Sequence, residues 1–407
     1  MIDFAALQSV LKAKLEQREH SLEQFSPTEL RAYAKRYLVD YCAADSKTPS
    51  SAAQQSMIDV AVSEALGLGV LESLLEDEQV TEIMVNNARE IFVEINGRIE
   101  KSAAAFSSTD SLLRIIERIV MPLGRRIDLN SPMVDARLAD GSRVNAIIPP
   151  LAISGPCLTI RKFSTRKLQL QDLVENRALT QGAMTYLVHA VAQRTNILIA
   201  GGTGSGKTTL LNALATQIPT EQRVITIEDA AELQLGHPHT VILEARPDNQ
   251  EGQGSVSIRE LLRNALRMRP DRIIVGECRG VETLDMLQAM STGHHGSFST
   301  VHANNAREAL KRLEMMVLMS GIELPTLAIR QQIASAIQVI VHVERAPSGQ
   351  RRVASISEVV GLEGDVVQVV ELFKLTNQQL TFSGMFPLFF DALAVELRSN
   401  LARELSQ

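Results

Sequence analysis

A glycine-rich segment near the middle of the chain constrains the fold most strongly. Residues 201–209 have the sequence GGTGSGKTT; an apolar run at 196–200 precedes them and a leucine- and alanine-rich stretch follows. This order of strand, glycine loop and helix is typical of an open α/β sheet, in which backbone N–H groups at a helix N-terminus converge on phosphate oxygens. The sequence therefore predicts an α/β domain that binds a polyphosphate.

The chemistry of this phosphate loop, residues 201–209, predicts individual contacts. Its glycines let the backbone approach the ligand, Lys207 is expected to reach the β- and γ-phosphates, and Thr208 is expected to supply an oxygen to Mg²⁺. The predicted nucleotide-binding residues are Gly202, Thr203, Gly204, Ser205, Gly206, Lys207, Thr208 and Thr209. A flexible glycine turn without a ligand is the simpler alternative, but this spacing arises by chance only about 1% of the time in a chain of ~400 residues.

The loop alone does not separate ATPases from GTPases or kinases. Guanine specificity often rests on a separate Asn/Thr-Lys-x-Asp element, and the sequence contains none. ATP is therefore the favoured nucleotide.

Acidic residues follow the next predicted strand, 223–227. Glu228 and Asp229 come directly after it, and Glu232 lies three residues further on. Carboxylates at the C-terminal end of a strand lie beside the phosphate loop in such a sheet, where they can hold Mg²⁺ through water or polarise the attacking water. A solvated surface cluster is the alternative.

A single carboxylate follows the apolar strand predicted at 272–275. Glu277 comes after Gly276, a position that suits contact with Mg²⁺ or general acid/base catalysis. We predict Glu277 as the catalytic acid/base; the alternative is a helix-capping glutamate before Arg279.

Three histidines lie in a stretch rich in Gly, Ser and Thr. His294, His295 and His302 have no cysteine nearby and no HExxH spacing, which makes structural zinc a weak interpretation. Sensing of the γ-phosphate, or relay to a neighbouring subunit, suits their location better, and His294 and His302 are the candidates. Polar packing in a turn is the remaining alternative.

The elements along the chain predict three regions. Residues 1–78 have helical periodicity, with a helix start at Ser26-Pro27 and a small, polar linker near 43–56. Residues 79–165 contain short strands, a helix at 110–120 and two turns of the Asn-Gly and Asp-Gly type, at 96–97 and 140–141, which predict an α+β subdomain. Residues 166–407 alternate helices with apolar runs, as a parallel α/β sheet requires.

Composition narrows the function classes. Aromatic residues are 4% of the chain, Trp is absent and the net charge is −6, so no direct nucleic-acid binding is expected. Three scattered cysteines fit neither a disulfide framework nor a CxxC metal site, and no run of about 18 apolar residues occurs. A cytoplasmic protein that meets a membrane only through partners is expected.

Several segments together resemble the type II/IV secretion and type IV pilus ATPases. The phosphate loop, 225–233, 263–277 and the histidine stretch look like the Walker A box, Asp box, Walker B box and His box of that family. Segments 124–138, 140–145 and 158–163 also resemble the CpaF-type motors of tight-adherence (Tad) pili. His295 stands where this subgroup often has Asp, and Cys278 where it often has Val. The scattered cysteines exclude the tetracysteine insert of many type II secretion ATPases.

The resemblance implies an architecture and a set of arginines. It implies a RecA-like ATPase domain, preceded by a smaller PAS-like α+β domain and an N-terminal helical region, in a homohexamer with ATP between domains. Arginines would complete the site, since guanidinium groups neutralise charge on the transferred phosphoryl group. The matching residues are Arg126, Arg137, Arg143, Arg161 and Arg246.

The expected function is an ATP- and Mg²⁺-dependent motor at the cytoplasmic face of the inner membrane. It would drive assembly of a type IV (Tad/Flp) pilus, with retraction as an additional action, through an inner-membrane platform protein. Two alternatives stay open: a related secretion ATPase that moves protein or nucleoprotein, and a nucleotide-bound scaffold with little turnover.

Overall fold

The computed structural model describes residues 4–16, 25–44, 52–95, 97–138, 140–163, 168–246, 253–390 and 395–405. The chain divides into two compact units, Met1–Ser164 and Thr165–Gln407. The first contains one apolar core among its N-terminal helices and another beneath its sheet. The second has a core on each face of its sheet. The three-region division at 78 and 165 stays a prediction.

The first unit begins with helices. They are α1 (Phe4–Glu16), α2 (Pro27–Ala44), α3 (Ala52–Leu66) and α4 (Leu71–Glu76). Helix α2 begins at the predicted Ser-Pro step, where the Ser26 hydroxyl accepts from the Glu29 N–H at 3.3 Å and the Glu29 carboxylate accepts from the Ser26 N–H at 2.8 Å. The middle of the predicted linker, 45–51, lies outside the described residues.

An antiparallel sheet and one amphipathic helix complete the first unit. The strands are β1 (Val80–Asn87), β2 (Glu90–Ile95), β3 (Arg98–Lys101), β4 (Met133–Arg137), β5 (Arg143–Ile147) and β6 (Cys157–Arg161), in the order β3-β2-β1-β6-β5-β4. Helix α5 (Thr109–Val120) confirms the helix predicted at 110–120, and Ser108 caps it. Its apolar face contributes Leu112, Ile115 and Ile119 to the core beneath the sheet.

The turn between β4 and β5 differs from the prediction. A two-residue turn at Asp140-Gly141 was expected, but the Leu138 N–H donates to the Ser142 carbonyl at 2.9 Å, which closes a longer loop. Gly141 has a φ of 91°, and the Asp140 carboxylate accepts from the Ser142 N–H at 2.9 Å. The carboxylate bond favours this wider loop, although the glycine has the expected positive φ. At the other turn, Asn96 lies outside the described residues.

The second unit is built on a nine-stranded sheet. Its strands are β7 (Ile197–Gly201), β8 (Val224–Glu228), β9 (Thr240–Glu244), β10 (Arg272–Cys278), β11 (Phe298–Val301), β12 (Val339–Arg345), β13 (Arg351–Glu363), β14 (Val366–Thr376) and β15 (Gln379–Phe382). Their order is β15-β14-β13-β12-β7-β11-β10-β8-β9. Strands β12, β7, β11, β10, β8 and β9 are parallel, as predicted.

Helices cover both faces of the parallel part. They are α6 (Leu170–Glu175), α7 (Gln181–Ala192), α8 (Lys207–Ala215), α9 (Ile258–Ala265), α10 (Glu282–Ser291), α11 (Ala306–Leu318), α12 (Thr326–Ala336) and the C-terminal α13 (Val395–Leu405). The strands between them carry almost continuous apolar side chains, because both faces of a parallel sheet are covered. None of the helices in the described ranges is long and apolar enough to cross a membrane.

The antiparallel strands β13, β14 and β15 were not predicted. They extend the sheet beyond β12, and Asn377 and Gln378 make the β14–β15 turn with φ values of 51° and 67°. A buried carboxylate secures this extension: Glu358 accepts from the Tyr186 hydroxyl and the Leu388 N–H, each at 2.8 Å. Burial raises the pKa of Glu358 above its ordinary value.

Candidate functional site

The phosphate loop connects β7 to α8 at the C-terminal edge of the parallel strands. Every residue of β7 is buried, and the loop leaves the sheet at Gly201. Gly204 and Gly206 have φ values of 67° and 100°, a left-handed conformation in which a side chain would be strained. All eight predicted nucleotide-binding residues therefore lie in this loop or in the first turn of α8.

Lys207 lies inside the loop and is 9% exposed. Its Nζ donates to the carbonyl oxygens of Gly201 and Gly202, at 3.0 and 2.9 Å. The ammonium is thus held by the backbone that surrounds it, beside the free N–H groups expected at a helix N-terminus. Thr208 and Thr209 follow, half-buried, in the first turn of α8. A phosphate group suits a positively charged loop at a helix N-terminus.

Glu277 lies at the end of β10, two strands away from the phosphate loop. Its side chain is 18% exposed, and its Oε2 accepts from the Arg279 Nε at 2.7 Å. The other oxygen, Oε1, is buried and accepts no hydrogen bond from any described residue. A buried carboxylate oxygen without a donor costs free energy, which suits an oxygen that receives a proton or a water ligand during catalysis.

His302 connects Glu277 to the phosphate loop. Its Nε2 lies 3.6 Å from Glu277 Oε1 and 3.4 Å from the Thr203 Oγ1. Burial and the nearby Lys207 ammonium lower the pKa of His302 below its ordinary value. A lowered pKa favours the neutral imidazole, which can donate a hydrogen bond from one ring nitrogen and accept one at the other.

Glu228 ends β8 next to β10 and is 5% exposed. Its carboxylate accepts from the backbone N–H groups of Glu232, at 2.8 Å, and Leu233, at 3.1 Å. Gly276 packs against it so closely that a Cβ there would lie 2.7 Å from the Glu228 Cγ. Glu228 thus shapes the acidic loop that follows β8, and its predicted contact with Mg²⁺ stays a prediction.

Arg279 links the two acidic segments, although it is not among the site residues predicted from the sequence. Its Nη1 lies 3.7 Å from the Asp229 carboxylate, while its Nε holds Glu277. These carboxylates raise the pKa of Arg279 against the opposing effect of burial. Its position two residues after Glu277 is the sequence feature that could have identified it.

Two predicted site residues lie away from the phosphate loop of this unit. His294 precedes β11 and His302 follows it, so about 13 Å of strand separates them, and the predicted role of His294 in sensing or relay stays a prediction. The His294 Nδ1 is buried and has no hydrogen-bond partner among the residues placed. Arg246 follows β9, four strand spacings or about 19 Å from β7, where its Nε donates to the Gly254 carbonyl at 2.6 Å.

The remaining predicted arginines belong to the first unit. Arg137 pairs with Arg143 across β4 and β5, and Arg143 pairs with Arg161 across β5 and β6. The three therefore form a row on one face of the sheet, where like charges repel one another. Arg126 forms an ion pair with Asp128 at 3.3 Å. Their contact with a nucleotide stays a prediction.

Comparisons with known proteins identify the family. Residues 64–369 match the family model described as type II/IV secretion system protein. The chain is 39% identical over 312 residues to a putative conjugal transfer protein of Mycobacterium tuberculosis, and the alignment covers 75% of this chain and 88% of that protein. It is 35% identical over 312 residues to the type IV secretion system protein PtlH of Bordetella pertussis, with 70% and 91% covered.

A solved structure supports the fold. The ATPase DotB of Legionella pneumophila aligns with a TM-score of 0.51 and 24% identity, covering 70% of this chain and 78% of that one. The predicted α/β class, with a RecA-like ATPase domain, is confirmed. The prediction of an enzyme is also confirmed, because the members of the matching family are ATPases. The chain belongs to the type II/IV secretion system protein family of ATPases.

Proposed function

We propose that this protein is a CpaF-type hexameric motor that hydrolyses ATP to drive assembly of a Tad pilus. It acts at the cytoplasmic face of the inner membrane through a platform protein, with retraction as an additional action. One observation carries the ATPase chemistry. The Nε2 of His302 lies 3.4 Å from the Thr203 Oγ1 of the phosphate loop and 3.6 Å from the buried Oε1 of Glu277.

The proposed chemistry assigns a role to each residue. Lys207 and the N–H groups of the loop would hold the β- and γ-phosphates, and Thr208 would offer its hydroxyl to Mg²⁺. The orphan Oε1 of Glu277 fits a water molecule, since it is buried and faces the imidazole of His302. Glu277 orients this water and accepts its proton, while Arg279 fixes the carboxylate through the other oxygen. The bound Mg²⁺ would neutralise phosphate charge.

In the proposed hexamer, the remaining arginines would contact the nucleotide or neighbouring subunits. Three neighbouring strands place Arg137, Arg143 and Arg161 in a row on one face of the sheet, and such a row of guanidinium groups suits the phosphates of a nucleotide. Arg126, Arg246 and His294 are proposed to face neighbouring copies of the chain. This arrangement would tie hydrolysis to movement between subunits, as a motor requires.

Phosphate release tests the ATPase proposal. Lys207→Ala should abolish turnover because it removes the phosphate-binding ammonium, and Glu277→Gln should lower kcat by about a thousandfold or more. Lys374→Ala is the matched control, because this exposed lysine of β14 pairs with Glu371 at 3.0 Å, three strands away from β7 in the sheet. Wild-type turnover in Lys207→Ala would refute the site, and turnover retained in Glu277→Gln would refute its catalytic role.

A secretion ATPase that moves protein or nucleoprotein is the second candidate. The names of the Mycobacterium and Bordetella relatives, conjugal transfer and type IV secretion, favour it. Pull-down separates the two, because a pilus motor should retain a platform protein and a conjugation motor should retain a coupling protein. Loss of surface pili in a Lys207→Ala strain supports the pilus motor, and loss of transfer with intact pili refutes it.

A low-turnover scaffold is the third candidate. It would bind nucleotide through the same loop but release little phosphate. Steady phosphate release by the purified wild-type protein, lost in Glu277→Gln, would exclude it.

A further inference from the structure

A hairpin outside the recognised motifs lies against the phosphate loop. Arg345 ends β12 and Arg351 begins β13. The Arg351 Nε donates to the Gly204 carbonyl at 3.0 Å, and its Cδ would lie 3.6 Å from a Cβ placed on Gly206. A Cβ on Gly204 would lie 3.5 Å from the Arg345 Nη1. Both guanidinium groups therefore flank the loop that is expected to hold phosphate.

The pairing of the two arginines is electrostatically unfavourable. Arg345 and Arg351 are directly opposite each other in the β12–β13 ladder, where like charges destabilise a sheet. The adjacent pair, on the other face of the hairpin, is complementary: Arg352 binds Glu344 at 2.8 Å. An anion bound at the loop would be attracted by both guanidinium groups.

The sheet order indicates which end of a nucleotide these arginines face. Strand β7 lies between β11 and β12. Thr203, on the β11 side, is the loop residue that contacts His302, and Glu277 lies further along on β10. A residue that activates the attacking water must face the γ-phosphate. The β12 side of the loop therefore faces the opposite end, toward the α-phosphate.

We propose that Arg345 and Arg351 bind the nucleotide from its α-phosphate side and so determine how tightly ADP and ATP are held. The proposal rests on the ATPase function proposed above. Guanidinium groups suit this task because their planar N–H donors match phosphate oxygens. Such contacts are shared by substrate and product, so they set affinity rather than the rate of the chemical step.

Calorimetric titration of the full-length protein with ADP tests the proposal. Arg345→Gln and Arg351→Gln should each raise the Kd for ADP by about tenfold, because each removes a charged phosphate contact. Arg352→Gln is the matched control on the other face of the hairpin and should stay within about twofold of the wild type. Arg351→Lys keeps the charge and should recover part of the affinity.

Kinetics separate binding from a structural effect. Loss of a contact common to substrate and product should raise KM for ATP while kcat at saturation changes little. A Kd for ADP within about twofold of the wild type in both glutamine variants would overturn the proposal. An equal rise in Arg352→Gln would also overturn it, because the effect would then belong to the hairpin's fold.

The same titration distinguishes this inference from the ATPase proposal. If Lys207→Ala loses ADP binding while Arg345→Gln and Arg351→Gln keep it, the arginine inference fails and the phosphate site stands. If Lys207→Ala binds ADP as tightly as the wild type, the phosphate site itself fails, and the arginine inference fails with it.

Discussion

Replacing Asn196 by alanine would test what fixes the strand that carries the phosphate loop. This residue precedes β7 and is fully buried. Its Nδ2 donates to the carbonyls of Met290, at 3.0 Å, and Ala336, at 2.7 Å. Its Oδ1 accepts from the N–H groups of Gly296, at 2.8 Å, and Ser297, at 3.0 Å. One amide thus ties the start of β7 to three other segments.

The expected loss of stability in Asn196→Ala follows from these four hydrogen bonds. Each contributes about 1 kcal/mol, so their loss in Asn196→Ala should destabilise the second unit by about 4 kcal/mol. For a unit of this size, about 1 kcal/mol lowers the Tm by roughly 2–4 °C, which gives a fall of about 8–16 °C. The phosphate loop lies at the other end of β7, so the Kd for ADP of the folded variant should change little.

Differential scanning calorimetry suits this measurement, because the chain contains no Trp for fluorescence. The transition of the second unit can be recognised by its shift on addition of ADP. Asn264→Ala is the control: this exposed amide on α9 donates to the Met268 sulfur at 3.5 Å, and its loss should cost less than about 0.5 kcal/mol. A Tm for Asn196→Ala within about 2 °C of the wild type would refute the reasoning.

Three further substitutions probe the site and its support. Gly276→Ala should cost about 1–3 kcal/mol and lower kcat, because the new Cβ displaces Glu228; an unchanged Tm would contradict this. Arg279→Gln should lower kcat by at least about tenfold at constant KM, because Glu277 loses the guanidinium group that fixes its carboxylate. The free energy of unfolding should change by less than about 1 kcal/mol, because the Arg279 side chain is 62% exposed. Burial raises the pKa of Glu358. The stability that this carboxyl contributes is therefore complete below the unfolded pKa near 4.5 and is lost as the pH rises through the folded pKa. Urea titrations should show that Glu358→Gln removes this pH-dependent loss of stability.

The sequence predicted the parts of the site that are contiguous in the chain. The phosphate loop is a short segment between a strand and a helix, so its spacing alone fixes its geometry. Glu277 was predicted because it follows an apolar strand, and the carboxyl ends of parallel strands meet at one edge of the sheet. The strand bounds agree within a few residues; the run predicted at 196–200, for example, is Ile197–Gly201.

The parts that the sequence did not predict depend on contacts between distant segments. Arg345 and Arg351 carry no motif, and only the pairing of β12 with β7 brings their hairpin to the loop. His294 and His302 are close in the sequence, but β11 runs between them, so they lie at opposite ends of that strand. Separation in the sequence therefore concealed the contact between this hairpin and the phosphate loop.

The sheet order also explains how binding and hydrolysis can be separated in this fold. Glu277 and His302 approach the loop from the β10 and β11 side, and Arg345 and Arg351 approach it from the β12 side. His302 contacts the loop at the Thr203 hydroxyl, whereas Arg351 contacts it at the Gly204 carbonyl. Changes on one side should therefore add to changes on the other, since residues that share no direct contact are nearly independent. If both proposed roles hold, substitutions in the β12–β13 hairpin should change the Kd for ADP without changing the effect of Glu277→Gln on kcat.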